Sequence, residues 1–344
     1  MDDEILVPHA VLMAAVERAL ADAGVPPPVR EIEARIMVEA DLQGVPSHGV
    51  RMLPPLIEAL RRGTVKADPQ VYLKREYGAT CLLDGDRGPG RFVATQAMDH
   101  AIERAGRFGV GICLAQHASH WGRAHAYAWQ AARAGFIGLC ATNAIPVMLA
   151  WGSSGPLLGN NPLGIGVPHA PDPVILDIAM SQAAYGKIGT FRREGKKVPA
   201  GWGLDAAGRP TDDPAAILAT RRLLPMGEHK GAGLALMIEL LTAGLAGGMF
   251  SQEIAAGDSS GLDSDSSKFF LAIDVKAFGD SDRIAQRVDD MLAYLRTAEP
   301  GADIKYPGER GWETRARNLA QGIPLHSEIV AQLLAAGVRL PSGG

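Results

Sequence analysis

Three of the nine histidines cluster directly after an apolar run at residues 110–114. They are His117, His120 and His125. A histidine near its ordinary pKa can accept or donate a proton at neutral pH, which suits acid-base catalysis. The H-x-x-H spacing can also place two imidazoles on one helical face, where they would bind zinc. The residues alone leave both an acid-base site and a metal triad open.

A fourth histidine, His48, lies at the centre of the loop 45–50, beside Ser47. Sequence neighbours rarely form a nucleophile-base pair, because that pair needs a specific geometry that usually comes from separate segments. The chain also has no G-x-S-x-G elbow. The pattern therefore does not favour a serine hydrolase.

The elements that must position these side chains follow from hydrophobic periodicity. Three helices are predicted in the first part of the chain, and from about residue 70 short strands alternate with helices. The predicted helices cover residues 9–24, 29–43, 54–63, 93–108, 124–134, 232–246, 281–297 and 327–336, with a short capped one from Pro214, and the strands cover 79–83, 110–114, 137–142, 174–178 and 268–275. Residues 189–222 are polar and turn-rich, and 257–267 form a polar loop.

Two glycine-containing stretches could bind phosphate. Residues 85–90 (GDRGPG) follow a strand and precede a helix, but Val93 stands where the third glycine of a Rossmann fingerprint belongs. An ordinary strand-to-helix turn is expected there. Residues 227–231 place Lys230 at the start of an apolar helix, which fits either an anion site or a plain turn. Residues 307–310 are expected to form a surface turn.

Composition limits the class of protein. A length of 344 residues indicates about two domains, and the hydrophobic (47%) and charged (21%) fractions are typical of globular chains. A formal charge of −4 and the lack of a long basic run do not favour nucleic-acid binding. The acidic N-terminus and three cysteines without paired spacing predict a cytoplasmic protein with free thiols. The apolar segment 231–250 contains Glu239 and is predicted to be a buried helix rather than a membrane span.

A set of short motifs occurs in one order along the chain, and together they resemble the malate/L-lactate dehydrogenase family of the non-Rossmann type. That family includes sulfolactate, ureidoglycolate and diketogulonate dehydrogenases and reductases of piperideine-2-carboxylate and pyrroline-2-carboxylate. The motifs are S-H-G-V (47–50) with L-P (53–54), S-H-W-G (119–122), T-N-A (142–144), N-P-L (161–163), L-D-I-A (176–179), G-K-I (186–188), G-W-G-L-D (201–205), K-G (230–231), F-L-A-I-D (270–274) and Y-P-G-E-R (306–310).

The resemblance implies a fold of the α/β (α+β) class. Its cofactor domain is expected to be a mixed, largely antiparallel sheet of non-Rossmann type, joined to a helical domain built from both chain ends. The implied boundaries are 1–75, completed by 300–344, for the helical domain and 76–299 for the NAD(P)-binding and catalytic domain. The cofactor would be NAD or NADP, and a homodimer is expected.

By the same resemblance, His48 is the proton donor, His120 a second acid-base group, and Ser47 orients His48 or the substrate oxygen. Asn143 is expected to contact the substrate. The implied nucleotide-binding residues are Ile175, Leu176, Asp177, Ile178, Ala179, Met180, Ser181, His229, Lys230, Pro307, Gly308 and Glu309.

The chain departs from the family pattern near the expected substrate. Many members have an arginine four residues after the catalytic histidine, whereas here Met52 holds that position and Arg51 precedes it. Arg123 and the bulky His125 are also atypical. A substrate carboxylate calls for a guanidinium, so either Arg51 or Arg123 is expected to bind it. If neither does, Met52 and Trp121 would line an apolar pocket.

The predicted function is thus an NAD(P)-dependent oxidoreductase that transfers a hydride between nicotinamide and a small 2-oxo/2-hydroxy acid or cyclic 2-imino acid, with no nucleic-acid or membrane partner. The alternative from a different class is a metal-dependent hydrolase or lyase that uses His117, His120 and His125. A third possibility is a relative that binds a ligand without turnover.

Overall fold

The structure is a computed structural model that describes residues 4–257 and 265–340. Most of the polar loop predicted at 257–267 lies outside the described residues. The helices are α1 (His9–Asp22), α2 (Pro27–Leu42), α3 (Leu53–Arg61), α4 (Gly90–Phe108), α5 (Ala124–Arg133), α6 (Tyr185–Arg193), α7 (Pro214–Thr220), α8 (His229–Glu239), α9 (Ser251–Gly257), α10 (Ser281–Thr297), α11 (Glu309–Gln321) and α12 (Ser327–Ala335). The strands are β1 (Glu4–Val7), β2 (Tyr72–Tyr77), β3 (Thr80–Gly88), β4 (Val110–Ala118), β5 (Phe136–Thr142), β6 (Met148–Leu149), β7 (Pro156–Leu158), β8 (Leu163–Val167), β9 (Val174–Ile178), β10 (Ser266–Asp274) and β11 (Ile323–His326).

The two ends of the chain share one hydrophobic core. Strands β1 and β11 pair antiparallel, so the beginning and the end of the chain lie side by side. The apolar stripes of α1, α2 and α3 bury Leu12, Met37 and Leu56 against Ile323 and Leu333 near the C-terminus. This agrees with a helical unit built from both ends. The domain boundaries themselves stay a prediction, and the one set after residue 75 falls inside β2.

A seven-stranded sheet in the order β2-β3-β4-β10-β5-β8-β9 forms the other large unit. Strands β3 and β4 are parallel. The other neighbouring strands in this sheet are antiparallel. The predicted mixed, largely antiparallel sheet is therefore confirmed, and it differs from the parallel sheet that a Rossmann fingerprint would require.

Helices α4 and α5 pack closely on the same face of this sheet, because glycines face them. Gly111 and Gly138 both pair with Ala272. A Cβ at Gly111 would lie 2.0 Å from the carbonyl oxygen of Ala101 in α4, and one at Gly138 would lie 2.4 Å from the Cβ of Ala131 in α5. Side chains at these positions would push the helices away from the sheet.

A third core lies beneath the segment that follows β5. It joins Met148 in β6, Ile188 in α6, Ile217 in α7 and Ala235 in α8. The first turn of α7 is capped by Asp213, whose carboxylate accepts a hydrogen bond from the amide of Ala215, as the sequence predicted. A π-helical turn, Leu240–Gly244, continues α8.

Some elements were not predicted. Helix α6 begins just before residues 189–222, which had been interpreted as turn-rich, and runs into them. The sequence analysis also missed several short elements: the strands β1, β2, β6, β7, β8 and β11 and the helices α9 and α11. The turn expected at 307–310 is the start of α11. Helix α8 starts three residues earlier than predicted. Within the described residues, no helix combines the length and the hydropathy needed to cross a bilayer.

Candidate active site

A cleft of about 750 Å³ lies where the first helical loop meets the polar ends of β4 and β5. The helical unit contributes residues 44–48 together with Arg51 and Met52. Loops after β4 and β5 contribute residues 120–124 and 142–145. Ser47, His48, His120, Arg51, Met52, Arg123 and Asn143, which were predicted to contact the substrate or to act in catalysis, all line this one cleft. Segments far apart in sequence therefore converge on a single cavity.

His48 lies on a 3-10 turn, Pro46–His48, that follows α2. Its Nδ1 is 2.8 Å from the hydroxyl oxygen of Ser47, which fixes the ring and directs Nε2 away from Ser47. The ring stacks on that of His120 with 5.8 Å between centroids. The predicted roles of these residues are therefore compatible with their positions, since Ser47 orients His48 and His120 is the neighbouring imidazole.

His120 is held in one tautomer. Its Nδ1 accepts a hydrogen bond of 3.1 Å from the backbone amide of Gly122, so in the neutral ring the proton is on Nε2. Gly122 has a φ of 82°, a left-handed conformation that turns its amide back toward the ring. His120 thus offers the cleft an N–H donor that can bind a substrate oxygen or nitrogen.

Both histidines are neutral at neutral pH. Burial lowers the pKa of His48 to about 4, although the nearby carboxylate of Asp177 acts in the opposite direction. Burial, assisted by His48 and the surrounding cations, holds the pKa of His120 well below its usual range. His48 can therefore accept a proton from an alcohol, and it must gain one before it can protonate a carbonyl.

The rate in each direction should depend on pH with opposite sign. We expect kcat/KM for oxidation of a hydroxy acid to fall as the pH is lowered through the pKa of His48, about 4 in the ligand-free protein, because the basic form is lost. Reduction should be faster on the acidic side. Initial rates in both directions over a range of pH check this, and parallel profiles for the two directions would contradict it.

The loop that carries His48 rests on a buried carboxyl group. Asp41 accepts a hydrogen bond of 2.7 Å from the amide of Val50. A Cβ at Gly49 would lie 2.1 Å from the Oδ1 of Asp41, so only glycine fits there. Burial raises the pKa of Asp41 to about 7. Asp41 therefore positions the turn after His48, a role that the sequence did not indicate.

The two arginines considered for a substrate carboxylate differ in their partners. Arg123 donates from Nε to Asp177 at 3.0 Å and from Nη1 to Gln43 at 3.2 Å. The Nη1 of Arg51 is buried and has no hydrogen-bond partner among the described residues. An unsatisfied buried donor is costly unless a ligand completes it. The geometry therefore favours Arg51 as the carboxylate-binding group, with Met52 beside it in the cleft wall.

Asn143 lines the cleft, but its side chain is already occupied. Its amide nitrogen donates to Glu239 at 3.0 Å and to the carbonyl of Met249 at 2.9 Å, and its oxygen accepts from the amide of Ser267 at 2.8 Å. Substrate contact through this amide group stays a prediction. The structure places the side chain in the support of the loop instead.

Glu239 is the centre of that support. Its carboxylate accepts hydrogen bonds from Asn143, from Asn161 at 2.7 Å, and from both the amide and the hydroxyl of Ser251 at 2.6 Å. Asn161 in turn accepts from the amide of Ala144 at 3.1 Å. One buried carboxylate therefore joins α8 to the T-N-A and N-P-L motifs, which explains the asparagines in both and the single acidic residue of the apolar helix.

Replacing Glu239 by Gln should lower the free energy of unfolding by about 1–3 kcal/mol, because the amide cannot accept all four hydrogen bonds and leaves a buried donor unsatisfied. Chemical denaturation measures this change. Glu253→Gln is a matched control, since Glu253 is exposed on α9 and caps only the amide of Phe250. Equal stability of Glu239→Gln and wild type would contradict the assignment.

A second cavity of about 500 Å³ adjoins the first and contains two of the predicted nucleotide segments. Its walls include Ile175, Leu176 and Asp177 from β9 and Pro307 and Gly308 before α11. The amide of Ile175, on the edge strand of the sheet, donates to the carbonyl of Pro307 at 3.0 Å. The two cavities share Gly44, Val45, Arg123 and Asp177 in their walls, so they lie side by side.

Features of this second cavity fit a bound dinucleotide. The Nε2 of His125 is buried there without a hydrogen-bond partner among the described residues. Gly308 has a φ of 95°, and a Cβ there would come within 3.2 Å of the backbone of Ile175. The glycine therefore lets the 307–308 turn lie directly against β9, and this contact shapes the wall of the cavity. The segment 175–177 and residues 307 and 308 would hold the cofactor.

The remaining predicted nucleotide residues are distributed around the same strand. Ala179 lines the active-site cleft, and Ile178 and Met180 pack in the adjoining core. The hydroxyl of Ser181 donates to the carbonyl of Ala183. His229 and Lys230 are exposed at the start of α8, where Gly231 packs on the carbonyl of Met180. The carboxylate of Glu309 bonds Arg296 and the amide of Tyr306, so it shapes the turn.

The alternative prediction, a metal site formed by His117, His120 and His125, is wrong. The ring of His117 lies 2.9 Å from the carboxylate of Asp84, whereas that of His125 is buried beside Trp129 and Trp312. His120 faces the cleft. In residues 4–257 and 265–340, no group of three or more histidine, cysteine, aspartate or glutamate side chains could share a metal ion. The spacing misled because His117 and His120 lie on an extended end of β4 and a loop, not on a helix.

Sequence reasoning missed several wall residues. Lys187 and Tyr185 reach the cleft from α6, a helix that the sequence analysis did not predict. Arg310, Thr314 and Arg317 reach the second cavity from α11. Their i, i+4, i+7 spacing was visible in the sequence, but it had meaning only once a helix was assigned there.

A mixed sheet beside a cleft that holds two neutral, half-buried histidines and an arginine with an unpartnered Nη1 among the described residues fits an oxidoreductase of non-Rossmann type. The malate/L-lactate dehydrogenase family model matches residues 7–334. The chain is 31% identical to malate dehydrogenase of Pyrococcus abyssi, over 96% of this chain and 94% of that one. It is 33% identical to 2,3-diketo-L-gulonate reductase of Shigella boydii, over 94% and 98%.

A solved structure of delta1-piperideine-2-carboxylate reductase from Pseudomonas syringae superimposes with a TM-score of 0.87 at 29% identity, covering 96% of this chain and 99% of that one. The chain belongs to the malate/L-lactate dehydrogenase family. It is an NAD(P)-dependent dehydrogenase, and the predicted enzyme class and cofactor are confirmed.

Proposed function

We propose that this enzyme transfers a hydride reversibly between NAD(P) and a small 2-oxo/2-hydroxy acid or a cyclic 2-imino acid, with His48 as the proton donor and acceptor. The proposal depends mainly on one observation, that His48, His120 and Arg51 line the same cleft and that the buried Nη1 of Arg51 has no partner among the described residues. A proton-transfer group and a free cation together suit a substrate whose reacting carbon is next to a carboxylate.

The bound nicotinamide supplies or accepts the hydride at the substrate carbon. The chain supplies the proton. When a carbonyl or imine carbon gains hydride, negative charge develops on its heteroatom, and protonated His48 neutralises it by giving up its proton. The N–H of His120 hydrogen-bonds the same heteroatom, and Arg51 orients the carboxylate. In the reverse direction neutral His48 removes the hydroxyl or amine proton.

The relatives include enzymes named for a hydroxy acid and for an oxo acid, and one named for a cyclic imino acid. A panel of malate, lactate, 2,3-diketo-L-gulonate, pyruvate and piperideine-2-carboxylate, assayed by nicotinamide absorbance with each cofactor, distinguishes the two substrate classes. Pyruvamide is a matched control for pyruvate, since it lacks only the carboxylate charge. Failure of every acid and imine with both cofactors would refute the proposal.

We further propose that the enzyme is a homodimer that uses the exposed apolar face of α8 and its π-helical extension. Leu234, Met237, Leu241 and Leu245 are between 45% and 62% exposed, and their spacing places them along one side of this segment. Gly231, Ala235 and Ile238 of the same helix are buried against the rest of the chain. A contiguous apolar stripe of this size on a globular chain marks an association surface.

Replacing Met237 and Leu241 together by Asp should convert the dimer to a monomer, because two charges would be desolvated in the interface. Light scattering at working concentration measures the mass. Leu334→Asp is the matched control, since Leu334 is 53% exposed on α12, away from the stripe. A wild-type monomer, or a double variant that remains dimeric, would contradict the proposed interface.

We place the enzyme in the cytoplasm, since its three cysteines are buried and free.

A further inference from the structure

Helix α11 presents a polar stripe to the second cavity. Arg310, Thr314 and Arg317 are spaced i, i+4, i+7, which places them on one helical face, and all three line the cavity beside β9. The opposite side of α11 buries Trp312. The stripe therefore joins the wall that also contains Pro307 and Gly308.

The two arginines of this stripe are the unpaired cations of their neighbourhood. Other basic residues on or near α11 have carboxylate partners: Arg315 with Glu39 at 2.7 Å, Arg296 with Glu309 at 2.8 Å, and Lys305 with Asp303 at 3.3 Å. Among the described residues, neither Arg310 nor Arg317 forms an ion pair or a side-chain hydrogen bond.

The cavity consequently has an excess of positive charge. Its one acidic side chain, Asp177, is already paired with its third arginine, Arg123. Two guanidiniums and the hydroxyl of Thr314 remain available to a ligand, which is a donor set suited to a phosphate group.

The position of this cavity decides which part of the cofactor would meet it. NAD(P) is an extended molecule with nicotinamide at one end and adenosine at the other. Nicotinamide must reach His48 in the first cavity, and the second cavity, which shares Arg123 and Asp177 with the first, extends from there to α11. The adenosine end therefore lies against the stripe, provided that His48 marks the reacting end, as the proposed function states.

We infer that Arg310, Thr314 and Arg317 bind the 2′-phosphate of NADP(H), and that this enzyme prefers NADPH over NADH. A 2′-phosphate is the one charged group by which the two cofactors differ, and it is attached to the adenosine ribose. Paired with two guanidiniums it forms charge-assisted hydrogen bonds, whereas NADH leaves the arginines to solvent.

The test measures binding, not turnover. Quenching of tryptophan fluorescence gives Kd for NADPH and NADH, and calorimetry gives Kd for adenosine 2′,5′-bisphosphate and adenosine 5′-monophosphate. We expect wild type to bind each 2′-phosphorylated ligand at least about tenfold more tightly than its counterpart, and Arg310→Gln and Arg317→Gln each to lose about tenfold for the phosphorylated ligand only. Raising the salt concentration should reduce the preference.

Arg315→Gln is the matched control, since it makes the same chemical change on the same helix outside the cavity, and it should retain the wild-type preference. Equal losses for NADPH and NADH in the cavity variants would overturn the inference, because the arginines would then hold the pyrophosphate common to both. Unchanged binding in both variants would also overturn it. A wild-type protein that binds neither dinucleotide refutes the proposed function itself, so the two failures are distinguishable.

Discussion

Replacing His48 by Ala should lower kcat by roughly 10²- to 10⁴-fold, the range typical of losing a positioned acid-base group. His48 lines the cleft, its ring is fixed by Ser47, and its Nε2 has no partner among the described residues. The affinity for NAD(P)H should stay within about twofold of wild type, because the effect concerns the transferred proton and not cofactor binding. Steady-state rates and fluorescence titration of the cofactor measure the two quantities.

His117→Ala is the matched control. It also replaces a histidine by alanine, but His117 lies against Asp84, outside the cleft, and should tolerate the replacement. If His48→Ala reduced turnover and cofactor affinity equally, His48 would be a structural residue. If kcat hardly changed, His120 would be the proton donor, and the same substitution there would reveal it.

Replacing Arg51 by Met should reduce kcat/KM for a carboxylated substrate by roughly 10- to 150-fold, since a charge-assisted hydrogen bond contributes about 1.5–3 kcal/mol. Methionine retains the apolar stem of the side chain and removes the guanidinium. The Nη1 of Arg51 is the buried donor in the cleft that lacks a partner among the described residues, so a substrate carboxylate completes it.

The comparison that isolates this contact uses substrate and enzyme together. The kcat/KM values for pyruvate and pyruvamide, or for another active acid and its amide, should differ strongly with wild type and little with Arg51→Met, because the variant has no guanidinium to bind the carboxylate. Arg123→Met should affect both substrates, since it frees Asp177 beside His48. A loss of less than about threefold for the acid in Arg51→Met would exclude a direct carboxylate contact.

Hydrophobic periodicity was sufficient to predict those helices and strands whose pattern lies within a single segment. The strand 174–178 and the helix 281–297 were predicted at their observed bounds, because alternating or helical apolar spacing is determined by the segment itself. The pairing of β1 with β11 was beyond such reasoning, since a short edge strand acquires its conformation from a partner more than 300 residues away. Helix α11 carries few apolar residues, so its pattern resembled a surface turn.

The candidate site shows the same division. His48 and His120 were identified by motif, and the structure places them in contact. The choice between Arg51 and Arg123 could not be made from spacing, because it depends on Asp177 and Gln43 having already bound Arg123. Asp41 and Glu239 act as buried acceptors for the backbone amides of Val50 and Ser251, a role for which the sequence has no motif.

The shared core of the two chain ends has a consequence for synthesis. The turn that follows His48 packs through Val50 into a core that includes Ile323, Ile329 and Leu333. On the ribosome those residues emerge after all the strands of the sheet, so the sheet can form while the turn that holds His48 still lacks these neighbours. Contacts between such distant residues form slowly, because a long loop must close first. We therefore expect nascent chains halted before β11 to contain a folded sheet without a competent acid-base group.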